Sequence, residues 1–336
     1  MTKAIAHFSN GIGNFIMMMP ALQAMASLSS DNVVDIIIDS RWTDHRKPAV
    51  IEICKAWSVI GRVIKYPSEK FNKNNYGHWF FTTHGTAYDA PSIFLPRMKK
   101  IIPKPHWRPS QVHEVDHYMD IAMGAGYKGL KPEVQFPLAK SPVVSLPRPI
   151  IGLCNGYFRT STHYWDKKGW YHFPRLSEVL ALYFGGSVVG LGREGELPKG
   201  TKLAADYAGK LSILETAKVL SQLDLFVTTD TGLMHMADIL KVPTIAMFGP
   251  TLVTKSGIRG ENSHILQAGL KCAPCQEASA YHICKVSECM RSIGVDDVMA
   301  KAREILGGKA DERYHHSWSY QVERPPGLDR AVSPGL

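Results

Sequence analysis

The clearest pattern of apolar runs and polar breaks lies between Leu223 and Thr251. Leu223, Leu225, Phe226 and Val227 form a short apolar run, of the kind that fills a buried parallel strand. Asp230, Thr231 and Gly232 break it. Leu233, Met236, Ala237 and Leu240 then recur at helical spacing, Pro243 is expected to end that helix, and Thr244 to Phe248 make a second apolar run closed by Gly249-Pro250. A strand, helix and parallel strand in this order form a right-handed crossover. Its turn falls at the carboxyl end of the first strand, where open α/β sheets bind ligands. A helix beginning there offers unpaired N–H groups and a partial positive charge, which suits a phosphate or diphosphate. Gly232 lets such an anion approach the backbone. Asp230 or Thr231 also suits an N-cap, and capping and anion binding can coexist.

Similar units recur along the chain. Ala4 to Phe8 is expected to be a strand, residues 9–14 a tight turn with Gly11 and Gly13, Phe15 to Leu28 a helix kinked at Pro20, and Val33 to Ile38 a strand ending at Asp39. The third glycine of a dinucleotide fingerprint is missing, so the turn argues little for NAD. Asp39 fits a ribose-binding acid or a surface strand end. His113 to Gly126 is expected to be a helix with Val115, Tyr118, Met119 and Ala122 on one face. The proline-rich run from Lys140 to Pro149 reads as a linker.

Beyond it, Ile150 to Leu153 and Ser187 to Leu191 read as strands, with a polar loop over 155–169 and a helix leading to Phe184. Ser212 and Glu215 form a capping box that opens a helix carrying Leu214, Ala217 and Leu220. Val295 to Leu306 reads as a last helix, expected near the junction of two domains. The fold class is therefore α/β, with one unit over 1–145, a second over 150–306 and a flexible tail over 307–336.

The chain has 336 residues, enough for two ordinary domains, and no apolar run reaches the ~18 residues of a membrane span. Its start lacks the apolar core of a signal peptide, so the expectation is a cytoplasmic protein, free or peripheral at the inner membrane face. A net charge of +9 favours anionic partners. Arg97, Lys99, Lys100, Lys104 and Arg108 lie among prolines and aromatics, including His84, Tyr88, His106 and Trp107. They fit a solvated loop, a patch for an anionic acceptor or membrane, or less well a single-stranded nucleic acid site, since no RNA- or DNA-binding motif accompanies them.

The central stretch resembles the signature of the lipopolysaccharide heptosyltransferases, the family-nine glycosyltransferases, in Asp230, Thr231-Gly232-Leu233-Met234-His235, Ala237, Val242-Pro243 and Phe248-Gly249-Pro250-Thr251. Other segments are similar too. They are Gly13-Asn14 with Pro20-Ala21-Leu22, the His113-x-Val115-x-x-Tyr118 helix, Lys168-x-Trp170 with Phe173 and Leu176, Gly192 to Glu196, and Ala208-Gly209-Lys210. The resemblance covers most of residues 1–306. It implies a GT-B fold, two Rossmann-like domains facing across a cleft, and transfer of a sugar such as heptose from a nucleoside diphosphate, commonly ADP-heptose, with inversion.

It further implies that Lys168 and the helix after Asp230 hold the donor diphosphate, that Glu196 bonds the ribose, and that His235 lies near the donor. Glu194 is close enough to replace Glu196. Gly11, Gly13 and Asn14 would face an anionic glycan, protein or lipid-linked acceptor. The family's proposed general base is an aspartate where this chain has Asn14, and an amide cannot accept a proton at working pH. Asp39, His84 and Asp89 are other candidates for that role. A nucleotide-sugar-binding protein without transferase activity, or an epimerase, remains an alternative. No catalytic divalent ion is expected if lysine and helix supply the positive charge.

Cys272, Cys275, Cys284 and Cys289 follow as a group. Four thiolates suit tetrahedral zinc or iron in a structural role, and four reduced cysteines in a packed loop is the other reading. Many members of the resembled family carry cysteines here. Cys54 and Cys154 are isolated.

Overall fold

The computed structural model describes residues 3–8, 11–39, 47–66, 68–81, 112–156, 166–276 and 280–307. The first unit contains β1 (Lys3–Phe8), α1 (Ile12–Ala26), β2 (Val34–Asp39), α2 (Lys47–Ala56), β3 (Ile60–Tyr66), β4 (Tyr76–Phe81) and α3 (Glu114–Gly124). Its parallel sheet has the order β3-β2-β1-β4, with Ala6 opposite Ile36 and Phe80. Residues 125–149 carry no helix or strand. The Gln222 side chain pins this stretch to the second unit, accepting from Val144 N–H at 2.9 Å and donating to Pro142 O at 3.1 Å.

The second unit follows as β5 (Ile150–Cys154), α4 (Phe173–Phe184), β6 (Ser187–Gly190), β7 (Ala205–Asp206), α5 (Ile213–Leu220), β8 (Leu225–Thr229) and α6 (Gly232–Ile239). It ends with β9 (Thr244–Phe248), α7 (Val253–Ser256), β10 (Ser263–Gln267), α8 (Ala280–Ile283), α9 (Glu288–Arg291) and α10 (Val295–Leu306). Its parallel sheet runs β10-β9-β8-β5-β6-β7. The chain order reverses between β5 and β8, so the ligand crevice belongs at their carboxyl ends.

Alternation along β8 explains how the units join. Leu225 and Val227 point to one face of the second sheet, where they share a core with Trp170, Leu180, Val298 and Met299. Phe226 points to the other, into a core that continues through Met236 and Ala237 to Met18, Leu22 and Tyr118 of the first unit. Helix α1 touches its own sheet, α3 and α6, and is buried almost continuously from Phe15 to Ala26. That enclosure is why its sequence is apolar all round.

Several expectations shift. Helix α1 begins at Ile12 with Gly11 as its N-cap, so Gly13 and Asn14 occupy the helix's first turn rather than a preceding loop. Pro20, the expected kink, lies inside this span. Helix α6 ends before Pro243: Lys241 takes a positive φ of 59°, and Val242 N–H bonds Ala237 O at 2.9 Å, a Schellman-type stop. Helix α10 packs beside α4 on the face away from the first unit, not at the junction, because its buried Val298, Met299 and Ala302 belong to that core. No helix among the described residues is long and apolar enough to cross a membrane. The basic stretch around residues 97–108 and the tail beyond residue 307 lie outside the described residues.

Candidate functional site

Helices α1 and α6 meet at their N-terminal ends. A Cβ on Gly232 would lie 2.5 Å from Ile12 Cγ2 and 3.3 Å from Gly13 N. A Cβ on Gly13 would lie 3.2 Å from His235 Cδ2. Gly232 leaves no room for a Cβ unless Ile12 moves, and a Cβ on Gly13 would fit only if the His235 ring gave way by a few tenths of an ångström. Neither helix has an acid in its first turn. Thr231 caps α6, its hydroxyl accepting from Met234 N–H at 3.1 Å, while no side chain caps α1. The first-turn N–H groups of Ile12, Gly13 and Asn14, and of Gly232 and Leu233, have no acceptor within their own helices. Two positive helix ends therefore converge at one place.

A cavity of about 530 Å³ opens on this junction. Gly11, Gly13 and Asn14 line it from the first unit; Lys168, Glu196, Asp230, Thr231, Gly232, Leu233 and His235 line it from the second. The structure thus gathers every non-cysteine site residue expected from sequence around one space. Asp39's side chain, His84 and Asp89 lie outside the described residues.

Lys168 stands on a 3-10 turn over Asp166–Lys168, and its Nζ donates to Asp230 Oδ2 at 2.7 Å. Burial pushes the Asp230 carboxyl up, but the Lys168 charge and hydrogen bond outweigh it and hold the group below the usual carboxylate range. Asp230 is therefore an anion serving the lysine, and Thr231 rather than Asp230 is the cap. His235 is buried, which lowers its pKa to about 4 against the pull of Asp230 and Asp238. It is a neutral imidazole near neutral pH.

Glu196 accepts from Arg193 N–H at 2.9 Å, and burial raises its carboxyl to about 7. Glu194 is exposed and does not line the cavity, so Glu196 is the better-placed of the two. Asn155 holds the Glu196 turn in position: its Nδ2 donates to Glu196 O at 3.1 Å and its Oδ1 accepts from Trp170 N–H at 2.9 Å.

Sequence reasoning passed over Asn155, Cys154 and Glu114. Cys154 looked isolated, yet it lines the cavity beneath Gly192, where burial raises its thiol. Cys154 is the last residue of β5 and Asn155 follows it, at a strand end that the strand-order rule marks as a crevice position. Glu114 follows a helix N-cap, a place that sequence pattern connects with capping and not with a cavity.

The four later cysteines do not form a ligand set. Among the described residues, no group of three or more His, Cys, Asp or Glu side chains is arranged to hold a metal ion. The reason is local anchoring. Cys289 is buried on α9 against Gly249, Cys275 N–H bonds Pro250 O at 2.9 Å, and Cys272 is exposed. The thiols are still neighbours. Burial raises the Cys275 thiol, with Cys284 and Cys272 adding to the effect, and burial raises Cys289 to about 11, with Cys275 adding.

Glu196 generates a prediction about pH. Its carboxyl binds a proton more tightly folded, at about 7, than at its ordinary 4.5. Its contribution is intact below the unfolded value and is lost as pH rises through the folded one. Glu196→Gln removes this dependence, so the variant should gain roughly 2–3 kcal/mol relative to wild type between pH 4.5 and 7.5. Urea unfolding across that range checks it, and parallel stability curves would refute it.

The family model described as glycosyltransferase family 9 (heptosyltransferase) matches residues 103–284, just over half of the chain. Lipooligosaccharide heptosyltransferase 2 of Campylobacter jejuni subsp. jejuni serotype O:2 is 26% identical over 206 residues, 58% of this chain and 64% of that protein. The chain likewise spans 64% of the serotype O:6 relative. Among solved structures, the ADP-heptose lps heptosyltransferase II of E. coli superposes with a TM-score of 0.64 at 15% identity, covering 91% of this chain and 98% of that one. The iron-containing dodecameric glycosyltransferase TibC of enterotoxigenic E. coli H10407 gives 0.62 at 15% identity, covering 91% and 77%. With the two parallel sheets, these superpositions establish the GT-B fold. The chain belongs to glycosyltransferase family 9, the heptosyltransferase family.

Proposed function

We propose that this protein transfers heptose or a related sugar from an ADP-linked donor to an acceptor glycan or another anionic acceptor, with inversion. The observation that carries the reading is the convergence of two uncompensated helix N-termini with the Lys168 ammonium on one cavity. Such a place favours a diphosphate, and favours it more as charge develops on the leaving group. An ammonium has three donors and can serve Asp230 and a phosphate oxygen together. On this reading Glu196 bonds the ribose hydroxyls and His235 offers a neutral ring. Asn14 positions the acceptor, which approaches from the first unit, residues 1–145. The donor belongs to residues 150–306. The C. jejuni relative acts, by its name, on lipooligosaccharide, and an acceptor of that class suits the basic chain. Work on such an acceptor would place the protein in the cytoplasm, at the inner membrane face. Asn14 in place of an acid favours a second reading, a nucleotide-sugar-binding protein without turnover.

ADP at ~100 times its dissociation constant should raise unfolding stability by ~2.7 kcal/mol. Lys168→Ala should weaken ADP binding by ~1.5–3 kcal/mol, the worth of a charge-assisted contact. The substitution also strands Asp230, so Lys168→Ala with Asp230→Asn provides a folded comparison. Calorimetry reads both affinities. Nucleotide affinity unchanged in both variants removes Lys168 from the site, and no response to ADP or ADP-heptose in wild type removes the donor reading.

The cysteine loop is a separate proposal. Supporting a structural metal are the four-thiol donor set and the mutual influence of the thiols. TibC is described as iron-containing. Binding would require the loop to draw the thiols together, since they are not a ligand set as they stand. Protein purified without chelator should then carry about one equivalent of zinc or iron, as expected for a four-thiolate site. Elemental analysis that finds neither leaves the loop a set of reduced thiols.

A further inference from the structure

We propose that Glu114 is the general base of the transfer, the role that Asn14 cannot fill; this rests on the transferase reading above. Three carboxylates line the cavity among the described residues: Glu114, Glu196 and Asp230. Asp230 is tied to Lys168 at 2.7 Å, beside the converging helix ends that would hold the leaving diphosphate. A nucleophile displacing that diphosphate in line must come from the opposite side of the sugar. Glu196 sits under Gly192 on the second unit, bonded to Arg193 N–H. Glu114 is the one of the three that belongs to the first unit, the wall from which the acceptor approaches.

Its position is held with care. Glu114 is the first residue of α3, 5% exposed, and α3 packs along α1, which carries Asn14. The preceding residue, His113, accepts from Val115 N–H through Nδ1 at 3.2 Å, so its Nε2 carries the proton and donates to Gly257 O of the second unit at 2.8 Å. Two residues on, Asp116 takes both of its oxygens to Arg259 of the second unit, at 2.8 and 2.9 Å. The turn bearing Glu114 is thus fastened across the domain junction on both sides of that residue.

The step balances without another reagent. The acceptor hydroxyl gives its proton to the Glu114 carboxylate. An oxygen lone pair forms the bond to the anomeric carbon, and the carbon–oxygen bond to the diphosphate breaks with its electron pair leaving on the nucleotide. Glu114 then returns the proton to solvent.

The test measures ADP release from ADP-heptose, with water alone and with lipopolysaccharide from a heptose-deficient strain as acceptors. Glu114→Gln should lower the rate ~10²–10⁴-fold, the usual worth of a general base. ADP affinity and melting temperature should hold, and Asn14→Asp in the same background should restore turnover. A Glu114→Gln rate within about threefold of wild type, well short of that worth, overturns the assignment alone. So does a loss that comes with lost ADP affinity or lowered melting temperature and is not restored by Asn14→Asp. Wild type that neither binds ADP-heptose nor releases ADP overturns the transferase reading and this assignment together.

Discussion

The structure depends on the contact between the starts of α1 and α6. It rests on glycine most strictly at Gly232, where a Cβ would meet Ile12 Cγ2 at 2.5 Å, while one on Gly13 would press on His235 at 3.2 Å. This closeness sets two positive helix ends side by side and leaves their first N–H groups facing a cavity. Asp230 precedes α6 and supplies one negative charge, but Lys168 neutralises it. The junction therefore remains electropositive in a partly dehydrated place, where an anion interacts more strongly than in water.

Packing, not ion pairing, holds the two units in that relation. A continuous apolar core runs from Phe226 and Met236 to Met18, Leu22 and Tyr118. The Arg259–Asp116 pair is about half exposed on each side, at 45% and 51%, and such pairs contribute only ~0–1 kcal/mol. Its use is registration: with the His113–Gly257 bond it orients the first turn of α3. The Lys168–Asp230 pair differs. At 16% and 9% exposure its removal on one side strands a charge, so it constrains the site more than it stabilises the fold.

What could be read from the sequence was what each element does on its own. The apolar runs before Thr229 and at Thr244 to Phe248 report strands because burial on both faces demands them. Ser212 and Glu215 form the expected capping box. Helix α1 is buried almost continuously from Phe15 to Ala26, and nothing local shows that the second unit completes its enclosure. Relations across units leave no local periodicity. Glu114 therefore goes unremarked in the sequence, Cys154 looks isolated, and α10 is expected at the wrong face. The stop of α6 was misjudged for a related reason: proline is the visible breaker, whereas Lys241 adopts a left-handed conformation that residue type does not announce. The cysteine spacing suggested ligation, but anchoring of Cys275 to Pro250 and burial of Cys289 come from the folded chain alone.

The central claim is that the meeting of α1 and α6 is where the donor's charge is held. The most direct measurement is the position of the diphosphate in a crystal structure of the protein with ADP. The account predicts phosphate oxygens at about 2.7–3.1 Å from the Gly232 and Leu233 amides, with the Lys168 ammonium on the same group. A diphosphate bound away from both helix starts contradicts it.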